Sequence, residues 1–141
     1  MKVFLDINII LDFLLKRAPF DEDAIEIFKL LYKKDINGFV SAISYTQIGY
    51  FLQKFTGKPA AKGILRDLNR LLTTVTVDNR TIEEALDSDI TDFEDAIQIA
   101  SAFSVTGLHS VITRDKKDFK SSQILIQSPK EFLNAFKNYH E

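Results

Sequence analysis

Two spacings of apolar residues alternate along the chain: short continuous runs, and periods of three to four residues. Residues 2–5 are a brief apolar run that stops at Asp6 and predicts a strand. Residues 7–16 are nearly all apolar and predict a buried helix. Within residues 20–34, Ala24, Ile27, Phe28 and Leu31 fall on one face of an amphipathic helix. Residues 38–41 predict a second strand, and residues 45–55 a helix that stops at Gly57. Pro59 fits the first position of the next helix, whose inner stripe is Ala61, Ile64, Leu65, Leu68 and Leu72. Residues 74–77 alternate and are β-branched, as in a strand. Thr81-Ile82-Glu83-Glu84 and Thr91-Asp92-Phe93-Glu94 have capping-box spacing and predict two helix starts. Residues 110–113 and 124–126 predict the last two strands. Ser128-Pro129-Lys130-Glu131 is a third capping box, opening a helix with Phe132, Leu133 and Phe136 on its apolar face.

Strands that alternate with helices imply an α/β fold. The expected architecture is three-layer α/β/α, with a central parallel sheet of four to five strands. In such sheets the functional crevice lies beyond the carboxyl ends of the strands. The 141 residues show no linker, repeat or compositional break, so residues 1–141 read as one domain.

Composition narrows the chemistry. The chain has no Cys, which excludes disulfides, thiolate nucleophiles and Cys-based metal sites. Its two His, at 109 and 140, give no basis for a His-rich metal site. Chemistry then rests on carboxylates, amides, hydroxyls, Lys and Arg. The start, Met-Lys-Val-Phe-Leu-Asp, reads as a strand rather than a secretory signal, and no apolar run approaches the ~20 residues of a membrane span. A cytoplasmic protein without a membrane partner is the expectation. A net charge of −2 means that any nucleic-acid site is a local basic patch.

The acids stand where strands end. Asp6 follows the first strand inside an apolar stretch, where a carboxylate is costly unless capped or paired. It can serve as an N-cap, as a functional acid, or as both. Asp92, Glu94 and Asp95 crowd one helix start, which favours acids. Glu94 suits the capping box, whereas Asp95 leads into the apolar run Ala96, Ile97, Ile99 and Ala100. Asp115 and Asp118 follow the strand at 110–113. In a parallel sheet Asp6, Asp95 and Asp115 can converge at one edge. Clustered carboxylates suit Mg²⁺ or Mn²⁺, which can activate water and clamp a phosphodiester. Their mutual repulsion should weaken the metal-free site and let metal stabilise the fold.

Four stretches carry a resemblance to the PIN domain, the nuclease fold of VapC-like toxins. They are residues 3–12 (Val-Phe-Leu-Asp-Ile-Asn-Ile-Ile-Leu-Asp), 40–44 (Val-Ser-Ala-Ile-Ser), 92–96 (Asp-Phe-Glu-Asp-Ala) and 112–119 (Ile-Thr-Arg-Asp-Lys-Lys-Asp-Phe). The resemblance implies a Mg²⁺- or Mn²⁺-dependent endoribonuclease with Asp6, Asp95 and Asp115 as catalytic acids and metal ligands. Asp118 would be a further ligand. It implies that Asn8 orients Asp6, and that Thr113 brings a hydroxyl near the metal or the scissile phosphate. Two positions depart from the family pattern. Ile7 stands where a hydroxyl residue is usual, and Gln47 is the nearest match to a helix Glu. Gln47 brings an amide oxygen but no charge, and Asp92 is a candidate replacement. The resemblance also implies an RNA substrate, a cognate antitoxin protein and a homodimer. Tyr50, Phe51 and Phe55 are candidate dimer surface.

For RNA, Arg114, Lys116, Lys117 and Lys120 lie beside the presumed metal site. Lys58, Lys62, Arg66 and Arg70 recur every four residues on one helix, either as a solvated face or as a phosphate-contacting rim. Tyr45 and Tyr50 are suited to core or rim packing or to base stacking. A response-regulator receiver would need a Lys after its last strand, where Gln127-Ser128-Pro129 stands. A haloacid-dehalogenase-type phosphatase would need a second Asp at position 8, where Asn8 stands. Two readings stay open: an active ribonuclease, and a non-catalytic PIN-like domain that binds RNA or a protein.

Overall fold

All neighbouring strands run parallel in the computed structural model, which describes residues 1–119 and 123–140. The strands are β1 (Lys2–Leu5), β2 (Asn37–Ser41), β3 (Thr73–Val75), β4 (Leu108–Ile112) and β5 (Ile126–Gln127). They lie in the order β3-β2-β1-β4-β5. The chain builds outward from β1 on one side, then returns to β1's other edge with β4. This places the topological switch point between the carboxyl ends of β1 and β4. There Leu5 pairs with Ile112, and the Asp6 N–H extends the ladder to the Ile112 carbonyl at 3.1 Å.

The pleat assigns alternate β1 side chains to opposite faces. Val3 and Leu5 join a core with residues of α1 (Ile7–Leu14), α2 (Asp21–Tyr32), α3 (Ser44–Thr56), α4 (Lys58–Leu71) and α7 (Pro129–Tyr139). Phe4 faces the other way and packs with Val111, Ile99 and Ala102. The last two belong to α6 (Phe93–Phe103), which packs in turn on α5 (Asn79–Asp87). The result is the expected three-layer α/β/α arrangement, with five strands and seven α-helices among the described residues. Gly38 on β2 is required by close packing, since a Cβ there would meet Leu72 and Leu31 at 2.6 and 2.7 Å.

Several element boundaries differ from expectation for local reasons. α1 ends at Leu14 because the chain turns at Lys16, whose φ is 51°. α4 opens at Lys58, so Pro59 is its second residue. β3 covers residues 73–75 rather than 74–77, because the chain leaves the sheet to reach Asp78. Asp78, not Thr81, caps α5: its side chain accepts the Thr81 N–H, and the Thr81 hydroxyl accepts the Asp78 N–H. Asp92, not Thr91, caps α6 by accepting the Asp95 N–H at 3.0 Å. In both helices a nearby Asp is available for the cap, and its carboxylate takes it. β5 covers 126–127 rather than 124–126. The box at Ser128 and Glu131 forms as expected.

Candidate functional site

Asp6 is both a helix cap and a member of an acidic cluster. Its Oδ1 accepts the Ile7 N–H at 2.8 Å, closing the start of α1, and the Gln98 amide of α6 at 3.4 Å. Its Oδ2 accepts the Thr113 hydroxyl at 2.8 Å. Thr113 is fully buried, and its oxygen also accepts the Asp115 N–H at 3.1 Å. One hydroxyl thus ties the end of β1 to the turn after β4. Ile7 supplies this arrangement with its backbone N–H alone.

Asp115 is half-buried, and its Oδ2 accepts the Asn8 amide at 3.5 Å. Asn8 was expected to orient Asp6. It steadies Asp115 instead, because Asp6 already has donors from Ile7, Gln98 and Thr113. Asp95, also half-buried, stands in the first turn of α6. Asp118 is exposed on the 3₁₀ turn at Lys116–Phe119.

The electrostatics reflect this gathering. Burial pushes the Asp6 carboxyl up to about 6 despite the Thr113 and Ile7 hydrogen bonds, and Asp115 and Glu94 add repulsion. Burial likewise pushes Asp95 up to about 7, with repulsion from Asp92, Asp6, Asp118 and Glu94. Asp115 and Asp95 therefore both lie within electrostatic reach of Asp6, and Asp118 within that of Asp95.

Two nearby cations, Arg114 and Lys116, are turned elsewhere. Asp12, inside α1 and 1% exposed, pairs with Arg17 at 2.9 Å and with Arg114 at 2.7 Å. Arg114 also stacks over Phe20, 3.9 Å from the ring centroid. Arg17 reaches on to the Asn8 side chain and carbonyl. Lys116 pairs with Glu131 of α7. Of the turn's described cations, Lys117 lines a hollow with Asp92, Asp95 and Asp118. Lys120 lies outside the described residues. Lys62 and Arg66 are exposed on α4, which packs on α3 and on β3 at the far edge of the sheet, so they are not part of the acidic cluster.

Gln47 does not face the acids with a free amide. It donates through Nε2 to Glu94 Oε2 across the mouth of the crevice. Asp92 caps α6, as described above, while Glu94, expected in a capping box, is released to the site. Tyr45 packs at the rim, its hydroxyl accepting from Asn69 and Thr74. Tyr50 is exposed beneath the Lys54 ammonium.

The donor set is all oxygen, and among the described residues Arg114 and Lys116 pair with Asp12 and Glu131 rather than with these acids, which fits a hard divalent cation. Among the described residues no three acids stand at ligand spacing about one point.

Sequence reasoning missed three contributors: Asp12, Arg17 and Gln98. Asp12 carried a signal, an acid embedded in the apolar run of residues 7–16. Its distant partner Arg114 had no local one.

A family model described as PIN domain matches residues 2–117. Solved structures with the same fold include VapBC2 from Rickettsia felis bound to a DNA fragment from its promoter. It is 16% identical over 91% of this chain and 98% of that one, with a TM-score of 0.67. A toxin–antitoxin complex from Klebsiella pneumoniae is 19% identical over 90% and 97%, with a TM-score of 0.67. DNA-bound VapBC from Salmonella typhimurium is 18% identical over 92% and 98%, with a TM-score of 0.65. At these identities the likeness is one of fold. Comparison with curated proteins returns no match.

Proposed function

This chain belongs to the PIN domain family, and we propose that it is a Mg²⁺- or Mn²⁺-dependent endoribonuclease acting as the toxin of a toxin–antitoxin pair. The observation that carries the reading is that Asp6 and Asp115 follow adjoining strands at the switch point of the sheet and share the Thr113 hydroxyl, while Arg114 and Lys116 are engaged by Asp12 and Glu131. Asp6, Asp95 and Asp115 would hold the cation, with Asp118 at the rim. A bound cation would polarise the scissile phosphate and lower the pKa of an attacking water. Thr113 fixes the Asp6 carboxylate, and Asn8 steadies Asp115. Lys117 lines a hollow with Asp95 and Asp118, and under this reading it would meet an RNA phosphate.

The partners follow from the same reading. VapBC complexes among the structural neighbours support a cognate antitoxin. A crevice rich in carboxylates suits a basic side chain from such a partner. The exposed Tyr50, Phe51 and Phe55 of α3 are the surface proposed for a homodimer. No described helix is long and apolar enough to cross a membrane, and action on RNA places the protein in the cytoplasm under this proposal.

The test is cleavage of a mixed structured RNA by the purified protein with Mn²⁺ or Mg²⁺, beside EDTA and Asp95→Asn. Metal-dependent cleavage that Asp95→Asn abolishes supports the nuclease. One observation favours a second reading, RNA or partner binding without cleavage: Gln47 places an amide rather than a carboxylate on the α3 wall. That reading predicts RNA retention with no metal-dependent product.

A further inference from the structure

Phe20 stands at the N-cap position of α2, where Ser, Thr, Asp or Asn would bond the helix start, and it makes no cap hydrogen bond there. Its ring belongs to none of the three apolar clusters and stays 45% exposed. A lone exposed aromatic is ordinary. This one has a cation on it: the Arg114 guanidinium lies 3.9 Å from the ring centroid, and Asp12 holds Arg114 in that place. The stack presents the ring as a fixed plane.

Phe20 and Arg114 line a hollow of about 220 Å³ with Pro19, Asp23, Pro129 and Lys130. A cavity of roughly 150 Å³ accepts a benzene ring, so there is room here for one base. Asp23 and Lys130 offer an acceptor and a donor to a base edge, and neither has an ion-pair partner among the described residues. Charge also favours a polyanion. Arg17 and Arg114 share the single carboxylate of Asp12, which leaves one positive charge over. The hollow is tied to the acids twice. Asp115 directly follows Arg114, and Arg17 bonds to Asn8, which bonds to Asp115.

Resting on the ribonuclease reading above, we propose that this hollow is a base subsite for single-stranded RNA. A base stacks on the open part of the Phe20 ring, and the strand continues past Asp115 to the acidic crevice. Every base has a π-face, so the subsite adds affinity and sets where the strand lies, with little preference for sequence. Phe20 is then a binding residue. Arg114 is a positioning residue that acts through the ring.

The test is binding of a dye-labelled oligoadenylate that carries one 2-aminopurine, moved along the strand from probe to probe. Binding is read by anisotropy and stacking by quenching of the 2-aminopurine, in Ca²⁺ and again in EDTA. The unsubstituted protein should bind, and should quench the probe most at one position. Phe20→Leu keeps the apolar bulk and removes the π-face. It should lose that quench and bind about tenfold more weakly, with an unchanged salt dependence, because no phosphate contact is lost. Phe20→Tyr keeps the aromatic face and should match the parent, and Tm of each variant checks that it is folded. A reduced salt slope in Phe20→Leu, or an equal loss in Phe20→Tyr, would assign the effect to a displaced Arg114 and overturn the subsite. Unchanged binding and quenching in Phe20→Leu would overturn the subsite alone and leave the ring to a protein partner. No RNA binding by the unsubstituted protein in either condition would overturn the RNA substrate and this inference together.

Discussion

Thr113 gives its hydroxyl hydrogen to Asp6 at 2.8 Å across 107 positions of sequence. The same oxygen receives the Asp115 N–H, so the geometry of two strand-end acids depends on one buried side chain. Thr113→Val keeps the shape, removes the donor and leaves an acceptorless N–H. Losing a hydrogen bond to a charged group costs about 1.5–3 kcal/mol. Urea unfolding should show that loss, and metal-dependent cleavage should fall by about tenfold or more. Thr113→Ser, which retains the hydroxyl, should stay close to the parent in both.

The acid cluster sets a pH dependence with a definite sign. Asp6 and Asp95 hold their protons to about 6 and about 7, whereas their ordinary value is 3.8. Between those limits the folded state binds more protons than the unfolded chain, so stability falls as pH rises through this window. Glu131, held down at about 2, and Asp78, also lowered, act in the opposite direction only in more acidic solution. In EDTA, Tm should therefore drop by several degrees between about pH 5 and pH 7.5. Saturating Mn²⁺ should remove most of the drop, because it neutralises the same acids. Calorimetric scans at each pH check this, and a Tm that rises over the window in EDTA would contradict it.

Asp12 anchors the turn that carries Asp115. It is buried between Arg17 and Arg114, and Arg17 continues to Asn8, which holds Asp115. Asp12→Ala leaves two guanidinium groups without their shared carboxylate. Removing one partner of a buried ion pair costs about 3–5 kcal/mol. Chemical unfolding should show a loss of that size. Arg17→Lys, which loses the multidentate reach of the guanidinium, should be milder in stability and should lower cleavage more than it lowers Tm.

The basic stripe of α4 is expected to act on RNA affinity without touching the acids. Lys62 and Arg66 are exposed and have no ion-pair partner among the described residues. Replacing both with Glu should weaken RNA binding and flatten its dependence on salt, by about one in log–log slope for each phosphate that is no longer neutralised. The Mn²⁺-induced Tm rise should be unchanged. Filter binding of RNA across a salt series measures the first effect.

The fold was legible because its signals are local. Apolar runs ending at Asp6 and near Asp115 mark strands, and residue periods mark the helices between them. The all-parallel sheet follows from that alternation, and the switch point then locates the acids. The side-chain pairings were less legible because they are long-range or competitive. Glu94 has capping-box spacing from Thr91, yet Asp92 can cap the same helix one residue later, and only the folded structure shows which wins. Asn8 lies two residues from Asp6 but bonds to Asp115, 107 positions away. Arg114 reads as a nucleic-acid contact, and nothing near it in sequence announces Asp12, 102 positions earlier.

The measurement that tests the central claim most directly is anomalous diffraction from a crystal soaked with Mn²⁺ alone. The expected result is a single strong peak in the crevice between the ends of β1 and β4, at about 2.0–2.2 Å from oxygens of at least two of Asp6, Asp95 and Asp115. A crystal that takes up Mn²⁺ only elsewhere, or not at all, with these carboxylates open to solvent, would contradict it.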